Sequence, residues 1–258
     1  MPPHELKNKP LVEAIVEIRW KLTSSLPGEE RDPHYKLLLG RLFDRLQGDY
    51  PEHEPLPTAS IPDELVGHVV QHRFRVAPGE WPLVQVGPGI FTLNETSKYV
   101  WPDFQRRAVE AVIKLYDAHP KVADLKIHSL ILRYIDAVEF DFSKENVFDF
   151  LRKYLKVELR LPPSLFEDTQ IDSMPCSSIW QTTFRCQQPR GRVHVGLATG
   201  QRNDRPAVLW ETTVQSVDTN LPHMPDSFPE WLEGAHRITH DWFFKLIAGE
   251  LERKFSGD

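Results

Sequence analysis

Cysteine is scarce in this 258-residue chain, where Cys176 and Cys186 are the two present. That count excludes a disulfide framework and a four-thiolate zinc site, and two reduced thiols fit a cytoplasmic protein. Long apolar runs are missing as well, since none approaches the roughly 20 residues of a membrane helix. The opening Met1-Pro2-Pro3-His4-Glu5 lacks the basic and apolar stretches of a signal peptide. A cytoplasmic location with no membrane partner is therefore expected. Positive charge is not in excess: the formal net charge is -6, so nothing draws the whole molecule to nucleic acid or to an anionic bilayer. Nucleic acid is disfavoured as a partner unless a local basic patch recruits it. The motifs G-x-G-x-x-G and G-x-S-x-G do not occur, and Gly87-Pro88-Gly89 lacks the lysine and spacing of a phosphate loop. These absences disfavour nucleotide-driven and acyl-transfer enzymes, and no cofactor is expected.

What is present is a chain with 40% hydrophobic and 26% charged residues, enough to build a substantial core. From Pro10 to Trp20, Val12, Ala14, Val16, Ile18 and Trp20 alternate with Leu11, Glu13, Ile15, Glu17 and Arg19, the pattern of a strand buried on one face. Asp32-Pro33 reads as an N-cap and first helical position, followed by the stripe Tyr35, Leu38, Leu39, Leu42, Phe43 and Leu46. The proline- and acid-rich stretch from Glu52 to Asp63 reads as a loop, and its acids, with Glu64, as solvated. Strands are expected over Val66 to Val76 and on either side of Gly87-Pro88-Gly89. A helix from Trp101 to before Pro120 and a long strand from His128 to Phe142 follow.

Further on, Ser143 is expected to cap a helix with Val147, Phe148, Leu151, Tyr154 and Leu155 on its apolar face. Ser177 to Cys186, Arg192 to Leu197 and Ala207 to Val214 read as a meander. Ser227 and Glu230 read as a capping box opening a last helix striped by Phe228, Trp231, Ala235, Ile238, Trp242 and Leu246. The expected class is α+β, with mostly antiparallel sheet and helices on one face. It divides into two packed halves, 1–142 and 143–258. The first is ferredoxin-like with additional strand, and the second is a three-stranded meander plus the long C-terminal helix.

The segments PLVEAIVEIRW (Pro10 to Trp20), VQVGPGIFTLNE (Val84 to Glu95), YVWPDF (Tyr99 to Phe104), LRYIDAVEF (Leu132 to Phe140) and AHRITHDWFFKLIAGEL (Ala235 to Leu251) occur in this order. In them the chain resembles a sporadically distributed bacterial family of uncharacterised proteins of about this length. The resemblance implies one full-length bacterial module and transfers no functional residue. Asp136 stands where RYIN-like members carry asparagine, so an essential amide there is not implied.

Three constellations carry chemistry. Glu233, His236 and His240 fall in one narrow sector of the last helix, and histidines four apart can share a metal. The same projection turns them away from Trp231, Ala235 and Trp242, which predicts a water-facing, metal-free ridge. Arg133, Tyr134 and Asp136 interrupt the most apolar strand, and buried charges need a partner or a ligand. They combine with Asn94, Tyr99 and Trp101 as a candidate ligand cleft, with a structural ion pair at Arg133 as the alternative. Arg185, Arg190, Arg192, Arg202 and Arg205 cluster along the meander as candidate phosphate or nucleic-acid donors, while charged hairpin tips and edges are the simpler account. Cys176 has no histidine fixed near it and is expected to be buried.

The leading expectation is a non-catalytic module that recognises a protein partner or small ligand between its halves. The family's patchy distribution associates it with bacterial accessory or defence systems. A metal-dependent hydrolase or nuclease on Glu233, His236 and His240 is the alternative, and an RNA-binding protein of tandem ferredoxin-like units the second alternative.

Overall fold

The computed structural model describes residues 6–24, 30–96 and 98–257, without the side chain of Glu64. Met1 to Glu5, read above for an export signal, lie outside them, as does the Glu64 side chain assigned to the acidic loop. Among the described residues nine strands form one antiparallel sheet, in the order β2-β3-β4-β5-β1-β6-β9-β8-β7. Two strands form its centre, β1 (Leu11–Trp20) and β6 (Ile127–Glu139), which pair with each other.

Each half of the chain builds outward from one of these two strands. After β1 come α1 (Tyr35–Leu46), the meander β2 (Glu52–Pro55), β3 (His72–Arg75), β4 (Leu83–Gly87) and β5 (Ile90–Glu95), and then α2 (Trp101–Ala118). The last meander strand, β5, returns to pair with β1. After β6 come α3 (Val147–Tyr154), β7 (Ile179–Gln187), β8 (Arg190–Arg202), β9 (Arg205–Val217) and α4 (Phe228–Ile247). Here too the last meander strand, β9, returns to pair with the opening strand. With β6 included, the order β4-β5-β1-β6 and the two intervening helices give a ferredoxin-like unit extended by β2 and β3. The chain finishes in α5 (Glu250–Ser256). Among the described residues no helix is long and apolar enough to cross a membrane.

From Ala14 onward the alternation read in β1 is the alternation observed; before it, a register shift between Leu11 and Glu13 brings Leu11, not Val12, against the core. Ala14, Val16, Ile18 and Trp20 are buried on the helix-bearing face, together with Leu130 and Leu132 of β6. That face holds two clusters of buried residues. One lies under α1, α2 and the first half of α4, around Leu38, Leu42, Phe104, Val112, Trp231 and Ala235. The other joins α3, α5 and the end of α4, around Val138, Phe140, Phe150, Trp210, Ile247 and Leu251. The opposite face carries a polar network: Arg73 donates to Gln85, Gln85 to Asn94, and Asn94 to Glu13.

Several boundaries differ from expectation because side chains found better partners nearby. Asp32 is no N-cap for α1, which begins two residues later than its Pro33 reading predicts. Its buried carboxylate instead accepts the Trp20 indole N–H (2.8 Å) and the Gly89 amide (3.2 Å) through Oδ2, and the His34 amide (2.9 Å) through Oδ1. It thereby ties β1 to the β4–β5 turn. Asn146, not Ser143, caps α3 by accepting the Phe148 amide at 2.8 Å, while the Ser143 hydroxyl donates to Asp141. Ser227 makes no capping hydrogen bond. The loop at Glu52 contains β2, and the expected strand from Val66 shrinks to His72–Arg75.

Candidate functional site

Between the two core clusters the helix-bearing face is not filled. A cavity of about 370 Å³ lies there, bounded by four parts of the chain. Its floor is sheet: Tyr134 and Asp136 of β6, and Thr212 of β9. One wall is the start of α2 with Tyr99 and Trp101, and the other is α4 with His236, Thr239, His240, Phe243 and Phe244. The stretch from Leu6 to Leu11 closes a further side. This strap is held by its backbone, since the Asn8 amide donates to the Phe255 carbonyl at 2.8 Å, and by the Lys9 ammonium on the Tyr99 carbonyl at 2.8 Å. Exposed Val100 and His240 mark the opening.

The walls are aromatic and the polar groups few. Trp101 stacks on His236 with ring centroids 3.6 Å apart and planes 13° from parallel. A hydrogen-bonded row runs from the Tyr99 hydroxyl to that of Tyr134 (2.7 Å) and on to His236 Nδ1 (3.1 Å). Burial, with His240 nearby, holds the His236 imidazole far below its ordinary value, at about 3, so it is neutral around pH 7. Burial also lowers His240 and pushes both tyrosines up. Asp136 is 4% exposed, and burial drives its carboxyl up to about 8 against the opposing pull of Arg202. The Arg202 guanidinium meanwhile donates to the Ala137 carbonyl at 2.8 Å. Beside Asp136 in the register, Trp210 keeps a buried indole N–H with no acceptor among the described residues.

Four of the six residues read as a ligand cleft meet here, Tyr99, Trp101, Tyr134 and Asp136, together with His236 and His240 of the helical ridge. The other two do not. Asn94 and Arg133 point to the opposite face, where Asn94 joins the polar network and half-buried Arg133 sits 3.4 Å from Glu211. Strand alternation decides this, because odd and even positions of β6 serve different faces. Arg133 thus has the carboxylate partner expected of it.

The helical ridge is corrected. His236 is half-buried against Trp101, and Glu233 accepts a hydrogen bond from Gln105 of α2 at 3.0 Å. A projection of α4 alone could not show that α2 covers this flank. Among the described residues no group of three or more His, Cys, Asp or Glu side chains is placed to hold a metal ion. The arginines also separate. Arg190 and Arg202 end the 13-residue strand β8, about 40 Å apart at about 3.3 Å per residue. Arg185 and Arg192 face each other across β7 and β8, and Arg205 pairs with Glu139. Cys176 is exposed rather than buried and Cys186 is half-buried, both as free thiols.

Sequence reading missed Leu6, Lys9, Thr212, Thr239, Phe243 and Phe244 of the lining. For the phenylalanines a signal existed, since Phe243 and Phe244 lie beside the stripe of α4 and widen its apolar sector. For the strap there was none.

No family model matches the chain, and a search of curated proteins returns no match. Among solved structures, the di-domain ARO/CYC StfQ from the steffimycin biosynthetic pathway aligns over 95% of this chain and 98% of that one, at 10% identity and a TM-score of 0.20. A likeness of that strength carries no argument about fold or function.

Proposed function

We propose that this protein is a non-catalytic binding module that holds a small, largely apolar ligand in the cavity between α2, α4 and the sheet. The observation carrying this reading is the aromatic-walled gap of about 370 Å³ where the two core clusters fail to meet. Interiors normally close such space, and ligand sites combine apolar walls with a few placed polar groups. Tyr134, Asp136 and His236 are those groups. Their arrangement brings no Ser, Cys or Lys nucleophile to a base, which favours binding over covalent chemistry. A small molecule also suits the recess better than a protein surface does. The patchy family distribution keeps an accessory or defence role as the biological setting.

Titration with Nile red, a neutral apolar fluorophore, tests the reading. Its emission should rise and shift to the blue with the unsubstituted protein, and Thr212→Trp, which fills the floor of the cavity, should abolish the change. Phe184→Ser, at an exposed phenylalanine on β7, should leave it intact. The reverse pattern would place the dye on the surface and overturn the reading.

A further inference from the structure

Among the polar groups that line the cavity, Asp136 is a buried carboxyl without a hydrogen-bond donor among the described residues. A buried carboxyl in that condition is costly, and such groups are retained where something else completes them. The nearest cation, Arg202, is committed to the Ala137 carbonyl, and Lys9 to that of Tyr99.

We propose that the ligand is a hydrophobic amine, its ammonium group seated on Asp136 and its apolar body lying between Trp101, Phe243 and Phe244. This rests on the cavity-binding reading and specifies its ligand class. The surroundings suit a cation. Tyr99, Trp101 and Tyr134 line the same cavity as the carboxyl, and aromatic faces attract ammonium groups. His236 is neutral, so α4 adds no positive charge there; His240 is neutral above its lowered value, and Glu233 on the same helix adds a negative charge. From β9 only the uncharged Thr212 faces the site. The like charges are Lys9 on the strap and Arg202 at the β8–β9 turn.

The competing ligand chemistry is a carbonyl acceptor that takes a hydrogen bond from protonated Asp136. The two differ in the sign of their proton linkage. An ammonium needs the ionised carboxylate, so below pH 8 its binding releases a proton and tightens as pH rises; a carbonyl needs the acid and weakens as pH rises.

Calorimetric titration of the full chain with tryptamine and with tryptophol, which carries a hydroxyl in place of the ammonium, separates these cases. Tryptamine should bind at least about tenfold tighter than tryptophol near pH 8, as expected for a charge-assisted hydrogen bond. Its affinity should rise up to about tenfold per pH unit between about pH 6 and 8, with proton release visible as a dependence on buffer ionisation heat. Asp136→Asn should remove both the preference for tryptamine and its pH slope. Equal affinities, or a tryptamine affinity that falls with rising pH, would overturn the amine proposal while the cavity reading survives on tryptophol binding. Binding of neither indole would overturn both. The pH slope and the amine-to-alcohol ratio are read on the unsubstituted protein, so the proposal stays testable if Asp136→Asn fails to fold.

Discussion

Asp136 and His236 impose opposite pH dependences on stability. Asp136 is raised to about 8, so the folded state keeps a proton that the unfolded chain gives up near the ordinary carboxylate value, and stability falls as pH climbs toward 8. His236 is lowered to about 3, so the unfolded chain takes up a proton the folded state refuses, and stability falls as pH drops below about 6.5. Where the windows overlap the slopes oppose each other; between about 6.5 and 8 Asp136 acts alone. Asp136→Asn should therefore match the unsubstituted protein near pH 4 and exceed it in melting temperature at pH 8. Parallel melting curves at both pH values would show that the carboxyl is not held neutral. Removing the Asp32 side chain should destabilise the fold, because it accepts hydrogen bonds from the Trp20 indole and two backbone amides. Asp32→Ala should cost about 3 to 5 kcal/mol in urea denaturation through the unpaired buried donors it leaves.

At the scale of elements, β1 and β6 carry the sheet, each flanked on both sides and packed under helices. Ile18→Ala and Leu132→Ala, both at fully buried positions, should each cost about 2 to 5 kcal/mol from lost burial and a cavity. Ile179→Ala, at an exposed position of the edge strand β7, should stay within about 0.5 kcal/mol. An unchanged denaturation midpoint for both core variants would mean that the strand faces are inverted. Most of β1 was legible from its own period, as was the stripe of α1, because burial on one side writes itself into local spacing. Helix starts were less legible. Asp32, Ser143 and Ser227 each have capping chemistry, yet Asp32 serves a tryptophan from another element and Asn146 stands closer to α3 than Ser143 does. Such choices depend on distant neighbours.

At the scale of the whole molecule, the cavity is a consequence of joining two halves that each run strand, helix, meander, helix around adjacent central strands. Aromatic and charged residues in the apolar strand β6 drew attention to Tyr134 and Asp136, which line the cavity, since unpaired polarity in a buried strand demands a reason. Face assignment was the missing step for Asn94 and Arg133. His236 was misplaced because α2 reaches α4 only in three dimensions, and the strap from Leu6 leaves no periodic trace. The central claim is that this gap takes a ligand. Its most direct test is the ¹H–¹⁵N spectrum of the tryptophan indoles during titration with tryptophol, the Trp101 resonance being assigned from Trp101→Phe. Ligand entry predicts a saturating shift of Trp101 while Trp20, buried in the first core cluster, stays fixed; shifts confined to Trp81 and Trp180, with Trp101 unmoved, would contradict it.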